Sequence, residues 1–245
     1  MKIKFIGTSH GIPEAGRFNS SARVESGNSL YYIDAGAPVV NLLINEGRHP
    51  SEVRAFFITH CHGDHINMLP HFIDLCHWYY RDADFTAFVP EDDVIENIYR
   101  YVGGLKGGEI DRDRERLVLA TEGVLYEDEN IKTTAIPTAH LHRANRPSFA
   151  YRVEADGHSV VFTGDLSHGL TGGELDTVAC TVPSDVVIIE KAHYSLDALL
   201  PYLDRMPTKE LWFTHVNSSF DELRSLDGKY PFRVRIANDG DEIVL

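Results

Sequence analysis

Two β-sheets packed face to face, each covered on its outer side by helices, are what the sequence predicts: a four-layer αββα sandwich of the α/β class. Two observations carry this expectation. Runs rich in β-branched and aromatic residues occur in both halves of the chain, and helical stretches fall between them. No repeat of fixed period, low-complexity segment or linker interrupts the pattern, so residues 1–245 are expected to form one domain.

The elements follow in chain order. "KIKFI" (2–6) and "NSLYYID" (28–34) read as strands, with the Pro-, Gly- and Ser-bearing loop "HGIPEAGRFNSSA" (10–22) between them. "APVVNLLINEG" (37–47) reads as a short helix closed by Gly47, and "VRAFFIT" (53–59) as a buried strand. "INMLPHFIDLCHWYY" (66–80) has apolar residues at roughly helical spacing. A helix is expected from near Ile66, kinked or restarting at Pro70. "DFTAFVP" (84–90) is a strand, and "EDDVIENIYRYVGG" (91–104) a helix with an acidic first turn and a glycine stop. The polar stretch 104–116 reads as a loop or lid. A strand series follows: "LVLA", "GVLYEDE", "IKTTAIPT", "FAYRVEA" and "HSVVFTGD", with "ADGH" as the hairpin turn between the last two. The chain closes with strand "DVVIIE", helix "SLDALLPYLDRM", strand "ELWFTH" and the strands "FRVRI" and "DEIVL".

Composition narrows the class. With 43% apolar and 24% charged residues, the 245-residue chain is composed like a globular protein able to bury a sizeable core. No apolar run approaches the ~20 residues that span a bilayer. Three unevenly spaced cysteines argue against a disulfide framework and point to a reducing cytoplasm. The net charge of −14 repels polyanions, so a small substrate is a better expectation than a long nucleic acid.

The stretch "THCHGDH" (59–65) carries His60, His62, Asp64 and His65 immediately after a buried strand. Imidazoles and carboxylates are good ligands for zinc and similar divalent ions, and four in one turn suit half of each of two adjacent sites. Three further ligand-grade residues stand at strand ends: His140 after "TTAIPTA", Asp165 after "VVFTG" and His215 after "LWFT". Layered α/β folds gather their sites at such rims. Asp165 is the candidate to bridge two ions. Cys61 should turn away from the cluster and pack, while Thr59 and Thr214 precede ligand histidines and are candidates to hydrogen-bond them.

In order and spread, "HCHGDH", His140, "FTGD" and "FTH" resemble the motifs of the metallo-β-lactamase superfamily over nearly the whole chain. The resemblance implies the αββα sandwich. It also implies the ligand sets: His60, His62 and His140 on one ion, Asp64, His65 and His215 on the other, Asp165 shared. Zinc is the first expectation, with manganese or iron fitting nearly as well. Two such ions can hold a bridging hydroxide as nucleophile, oriented in part by Asp64.

Within the superfamily, "IKFIGTSHGIPEAGRFNSSARV", "RPSFAYRVE" and "VVIIEKAHYS" look like ribonuclease Z and cyclic-phosphate phosphodiesterases. The last stretch implies that His193 lies near the ions, binding a phosphate oxygen or protonating the leaving alkoxide. Arg143, Arg146 and His10 are candidate substrate-binding residues. Ribonuclease Z carries a long arm that grips tRNA. Here the corresponding region is short, and Lys106, Arg112, Arg114 and Arg116 are offset by Glu109, Asp111, Asp113 and Glu115. The expected activity is therefore metal-dependent hydrolysis of a small phosphodiester, with cyclic nucleotides and cyclic sugar phosphates among the candidates. The rivals are a thioester or lactone hydrolase on the same metals, a non-catalytic metabolite sensor, and an iron redox enzyme of the same fold. The last normally changes one cluster histidine to a carboxylate. Relatives in the superfamily are often homodimers, and no partner face is legible in the sequence.

Overall fold

In the computed structural model the strands fall into two seven-stranded sheets; the structure describes residues 1–12, 14–108, 110–217 and 220–245. Glu109, counted above among the loop charges, lies outside the described residues, as does Pro13 of the N-terminal loop.

The first sheet contains β1 (Lys2–Gly7), β2 (Ser21–Ser26), β3 (Ser29–Ile33), β4 (Val53–Phe57), β5 (Phe85–Val89) and β6 (Glu115–Leu119). The second contains β7 (Gly123–Glu127), β8 (Lys132–Pro137), β9 (Phe149–Ala155), β10 (His158–Phe162), β11 (Ser184–Glu190), β12 (Thr208–Thr214) and β13 (Arg233–Ile236). The last strand, β14 (Glu242–Val244), returns to the first sheet beside β1. The spatial orders are β14-β1-β2-β3-β4-β5-β6 and β13-β12-β11-β10-β9-β8-β7. Each sheet has an antiparallel half and a parallel half. The parallel halves are β3 to β6 and β10 to β13.

Parallel neighbours need crossovers. Those of the first sheet are α1 (Val39–Asn45), the pair α2 (Gly63–Ile66) and α3 (Leu69–Trp78), and α4 (Asp92–Lys106). Those of the second include α5 (Leu196–Leu203) and α6 (Phe220–Arg224). Side-chain alternation sorts the apolar residues into three layers. In β4, Phe56 packs outward against α1, α3 and α4, while Ala55 and Phe57 face the other sheet. In β11, Val186 and Ile188 face inward, while Val187 and Ile189 meet the α5 side. Three apolar layers make the four-layer sandwich that the sequence predicts. Among the described residues, no helix is long and apolar enough to cross a membrane.

Some expectations need correction. Residues 21–26 form β2, although the sequence reading ran its loop to residue 22 and placed no strand there. Of the polar stretch 104–116, residues 104–106 complete α4 and Glu115 and Arg116 open β6. Helix α4 ends at Gly107, whose φ of 67° is the left-handed cap that glycine favours. Charge pairing holds the loop down: Arg112 reaches Glu96 of α4, and Arg116 reaches Asp84. The apolar stretch from Ile66 is two helices, with Pro70 in the first turn of α3, where its missing N–H costs nothing.

Candidate metal centre

The histidine-rich turn leaves β4 at the rim, and the segment after β3 braces it from below. Asp34, at the end of β3, has φ 63° and is 3% exposed. Its carboxylate accepts the Thr59 N–H (2.7 Å), the Thr59 hydroxyl (3.0 Å) and His65 Nδ1–H (2.7 Å). The Ala35 N–H donates to the His65 carbonyl at 2.7 Å, and Met68 N–H to the Ala35 carbonyl at 2.9 Å. At Gly36 a Cβ would lie 1.9 Å from the Asp64 carbonyl oxygen, so only glycine lets the two segments approach this closely.

The distant residues arrive from the second sheet. His140 follows β8, Asp165 follows β10 and His215 follows β12. Asp165 Oδ2 stands at the centre. It is 3.5 Å from His65 Nε2, 3.6 Å from His215 Nε2 and 3.7 Å from His60 Nε2. His193 Nδ1 lies 3.8 Å away and His140 Nε2 3.9 Å. Asp64 Oδ2 is 3.3 Å from His65 Nε2 and 3.8 Å from His215 Nε2. On the other flank, His62 Nδ1 lies 3.0 Å from His60 Nε2 and 3.4 Å from His140 Nε2. Four groups thus have ligand atoms within 4.8 Å of one another: His60/His62/His140, His60/His65/Asp165, Asp64/His65/His215 and His140/Asp165/His193.

Four of the imidazoles, His60, His65, His140 and His215, are aimed by a partner on the other nitrogen, as is usual for metal-binding histidines. His65 Nδ1 is held by Asp34, His140 Nδ1 lies 3.1 Å from the Leu166 carbonyl, and His215 Nδ1 lies 2.8 Å from the Ser20 hydroxyl. His215 has φ 53°, and its N–H donates to the Thr8 carbonyl. Thr59 Oγ1 is 3.1 Å from His60 Nδ1. Thr214 contributes its backbone carbonyl to Lys191 N–H.

Two buried atoms fit a cation better than they fit anything in the chain. His65 Nε2 and Asp165 Oδ1 have no hydrogen-bond partner, although buried polar atoms are nearly always paired. The field has the matching sign. Burial alone would push Asp165 up, yet His215 and His65 hold its carboxyl well below the usual range. Burial alone would lower His65, yet Asp165 and Asp34 raise it well above the imidazole norm. Positive charge is thus favoured where the ligand atoms converge. The residues fit divalent ions by number, type and orientation.

The other site candidates are placed as follows. His193 sits beside the cluster, its ring 4.7 Å from that of His140, with Nδ1 3.1 Å from Glu190 Oε1. Glu190 also accepts the Ala192 and His193 N–H groups and is 1% exposed. Burial by itself lowers His193, but Glu190 and Asp165 raise it. The His10 ring is 6.4 Å from that of His215, and its Nε2 is 3.3 Å from Glu14. Arg143 is exposed on the turn His142–Ala144. Arg146 is engaged elsewhere, gripping Glu91 through two bonds of 2.6 and 2.8 Å. Cys61 packs against the outer apolar layer, and burial and Glu91 push its thiol up, so it is inert.

The sequence reading missed Asp34, although it ends a strand as Asp165 does. It also missed His168, whose ring lies 5.2 Å from that of His193 at the rim of the site. "GDLSH" shows a histidine three residues after the bridging candidate, which was a usable signal.

Comparison with known proteins agrees with the geometry. The family model described as anti-Pycsar protein Apyc1 matches residues 1–236. Ribonuclease Z of Methanocaldococcus jannaschii is 27% identical over 153 residues, covering 62% of this chain and 46% of that protein. The chain spans about half the length of the first curated relatives it matches, 46%, 50% and 49%. Among solved structures, the metallo-β-lactamase fold protein YhfI from Bacillus subtilis superposes with a TM-score of 0.79 at 18% identity, over 99% of both chains. A diphosphatase of the PhnP family gives 0.72 at 17% identity, over 100% of this chain and 97% of that one. At such identities the two structures attest the fold alone, whereas the family model spans nearly the whole sequence and every ligand-grade residue named above. The chain has the metallo-β-lactamase fold, is similar in sequence to ribonuclease Z, and belongs to the family of the anti-Pycsar protein Apyc1.

Proposed function

We propose that the chain is a metal-dependent hydrolase that cleaves a small cyclic phosphodiester, a cyclic nucleotide or a cyclic sugar phosphate, with residues 1–245 working as one domain. The observation that carries the reading is the single buried carboxylate oxygen of Asp165, set 3.5 to 3.9 Å from five imidazoles contributed by both sheets. His60, His62 and His140 would hold one ion and Asp64, His65 and His215 the other, with Asp165 within reach of both sets. Zinc is the first ion to test. When bound, such ions polarise phosphoryl oxygens and lower the pKa of water toward neutrality. Asp64 orients the attacking water. His193, fixed by Glu190 and favoured in its protonated form, delivers a proton to the departing alkoxide. Arg143, which carries its charge exposed beside His140, meets the substrate phosphate.

The relatives named as ribonuclease Z support phosphodiester chemistry over a carbonyl substrate. The ribonuclease name also removes support from the expectation that nucleic acid is a poor partner, so RNA belongs in the assay. Zinc-loaded protein should turn over cyclic nucleotides and bis(p-nitrophenyl) phosphate while leaving a thioester, a lactone and a tRNA precursor intact. Thioester or lactone preference, cleavage of the precursor alone, or tight metabolite binding without turnover would each reject the proposal.

The role of His193 has its own test. His193→Ala should lower kcat/KM on a cyclic nucleotide by roughly 10²–10⁴-fold, the usual worth of general acid catalysis. The loss should be far smaller on the p-nitrophenyl ester, whose leaving group needs no proton. Equal losses on both substrates would assign His193 to binding instead.

A further inference from the structure

Glu174 directs its carboxylate at two segments other than its own. It follows the short turn Thr171–Gly173 and is 8% exposed. Oε2 accepts the Ala139 N–H at 2.8 Å. Oε1 accepts the Ser167 N–H at 2.8 Å and also the Ser167 hydroxyl. That hydroxyl in turn accepts the Thr171 N–H at 2.8 Å. Ala139 immediately precedes His140. Ser167 immediately follows Leu166, whose carbonyl lies 3.1 Å from His140 Nδ1. The contacts therefore close a ring from Glu174 through Ala139 to His140, across to Leu166, and through Ser167 back to Glu174. Asp165 is the next residue along that second loop.

We propose that Glu174 is a positioning residue for the ion held by His60, His62 and His140. A hydrogen bond from Nδ1 to a carbonyl fixes the imidazole tautomer and leaves the Nε2 lone pair free to ligate. That bond exists only while the loop bearing His140 and the loop bearing Asp165 keep their relative height. Glu174 is the clamp that sets this height, because one carboxylate holds both backbones. His60 and His62 share no contact with Glu174, and neither do Asp64, His65 and His215. The second ion therefore meets this ring only through Asp165, whereas the first meets it through both His140 and Asp165. Glu174 itself lies outside all four ligand groups, so it acts through His140 and not as a ligand.

The proposal rests on the two-ion reading above, and the test separates the two. Co²⁺ binding is titrated by its visible absorption in His215→Ala protein, where the ion is confined to the three-histidine position, and in His62→Ala protein, where it is confined to the other. Glu174→Ala is then added to each background. The expected result is a loss of affinity of about 10–100-fold in the first background, the range seen when groups orienting a ligand are removed, with a changed absorption band. In the second background the affinity should stay within about threefold, because His65 and His215 are oriented by Asp34 and Ser20 and only Asp165 links that position to Glu174. Glu174→Gln keeps the shape but turns one acceptor into a donor facing an N–H, and should show a smaller loss of the same selectivity. The thermal midpoint of each metal-free variant reports folding, and Glu174→Gln carries the test if the alanine variant is unfolded. Equal losses in both backgrounds, or no loss in either, would overturn the clamp while leaving the two-ion reading intact. Unsubstituted protein that takes up no ion at all would overturn both.

Discussion

Asp165→Ala is expected to abolish uptake of both ions and to lower kcat/KM by at least about a thousandfold, since metal polarisation contributes several kcal/mol to such barriers. The size follows from geometry. Among the described residues, no other carboxylate is placed against His60, His140 and His215 together. Asp165 Oδ2 serves all three, and Asp165 Oδ1 is buried without a partner in the protein. Asp64, the remaining carboxylate of the cluster, sits beside His65 and His215. Removing Asp165 leaves five imidazoles, at least four of them buried or half-buried, with no central negative charge. A cation placed there would lose its strongest electrostatic partner in a site of low dielectric. Asp165→Asn separates charge from shape, because it keeps the volume and one carbonyl oxygen. It should retain the fold and still lose the ions. Metal content per chain by elemental analysis, measured beside turnover, decides the matter. Full metal content in either variant would refute the bridging assignment.

How much of this was legible in the sequence depended on whether the signal was local. His60, His62, Asp64 and His65 lie within six positions and declare themselves. His140, Asp165 and His215 are far apart in the chain, yet each ends an apolar strand, and that shared context identified them. What stayed hidden was whatever depends on a partner distant in sequence. Strand β2 was missed because it is short and adjoins a run of loop residues, although Ala22 and Val24 face the core between the polar Ser21, Arg23 and Glu25. Arg23 is tolerated there because Glu25 and Glu46 each sit 2.6 Å from it. Helix α6 has five residues, fewer than two turns, so periodicity had nothing to act on. Arg146 looked like a substrate residue because the sequence does not show that Glu91, 55 positions away, faces it. Glu174 likewise reads as one acidic residue among 37 acidic ones until the fold brings Ala139 and Ser167 to it.

Asp34 is the costliest of these hidden residues. Asp34→Ala is expected to destabilise the protein by about 3–5 kcal/mol, the usual consequence of removing one partner from a buried charged pair. Three donors lose their acceptor at once. The Thr59 N–H and the His65 Nδ1–H are buried at 1% and 2% exposure, and each orphaned donor costs about 1–3 kcal/mol. The backbone adds to this, since φ 63° at residue 34 is tolerated better by Asp or Asn than by Ala, at a penalty of about 1 kcal/mol. For a chain of this size each kcal/mol lowers the thermal midpoint by roughly 2–4 °C, so a fall of about 10 °C is expected. The ion at Asp64, His65 and His215 should weaken by a further 10–100-fold or so, because Asp34 at 2.7 Å is the main hold on His65 Nδ1, the Thr59 hydroxyl lying 3.4 Å away. Asp34→Asn separates the two effects. It keeps the left-handed backbone and one acceptor oxygen, so the midpoint should fall by only a few degrees. Its amide can serve Thr59 or His65 but not both, so the loss at the ion should approach that of the alanine variant. If Asp34→Asn weakened neither the midpoint nor the ion, the ring of His65 would have to be held by packing alone. The carboxylate beneath the histidine turn would then be a tolerated charge and not the brace of the site.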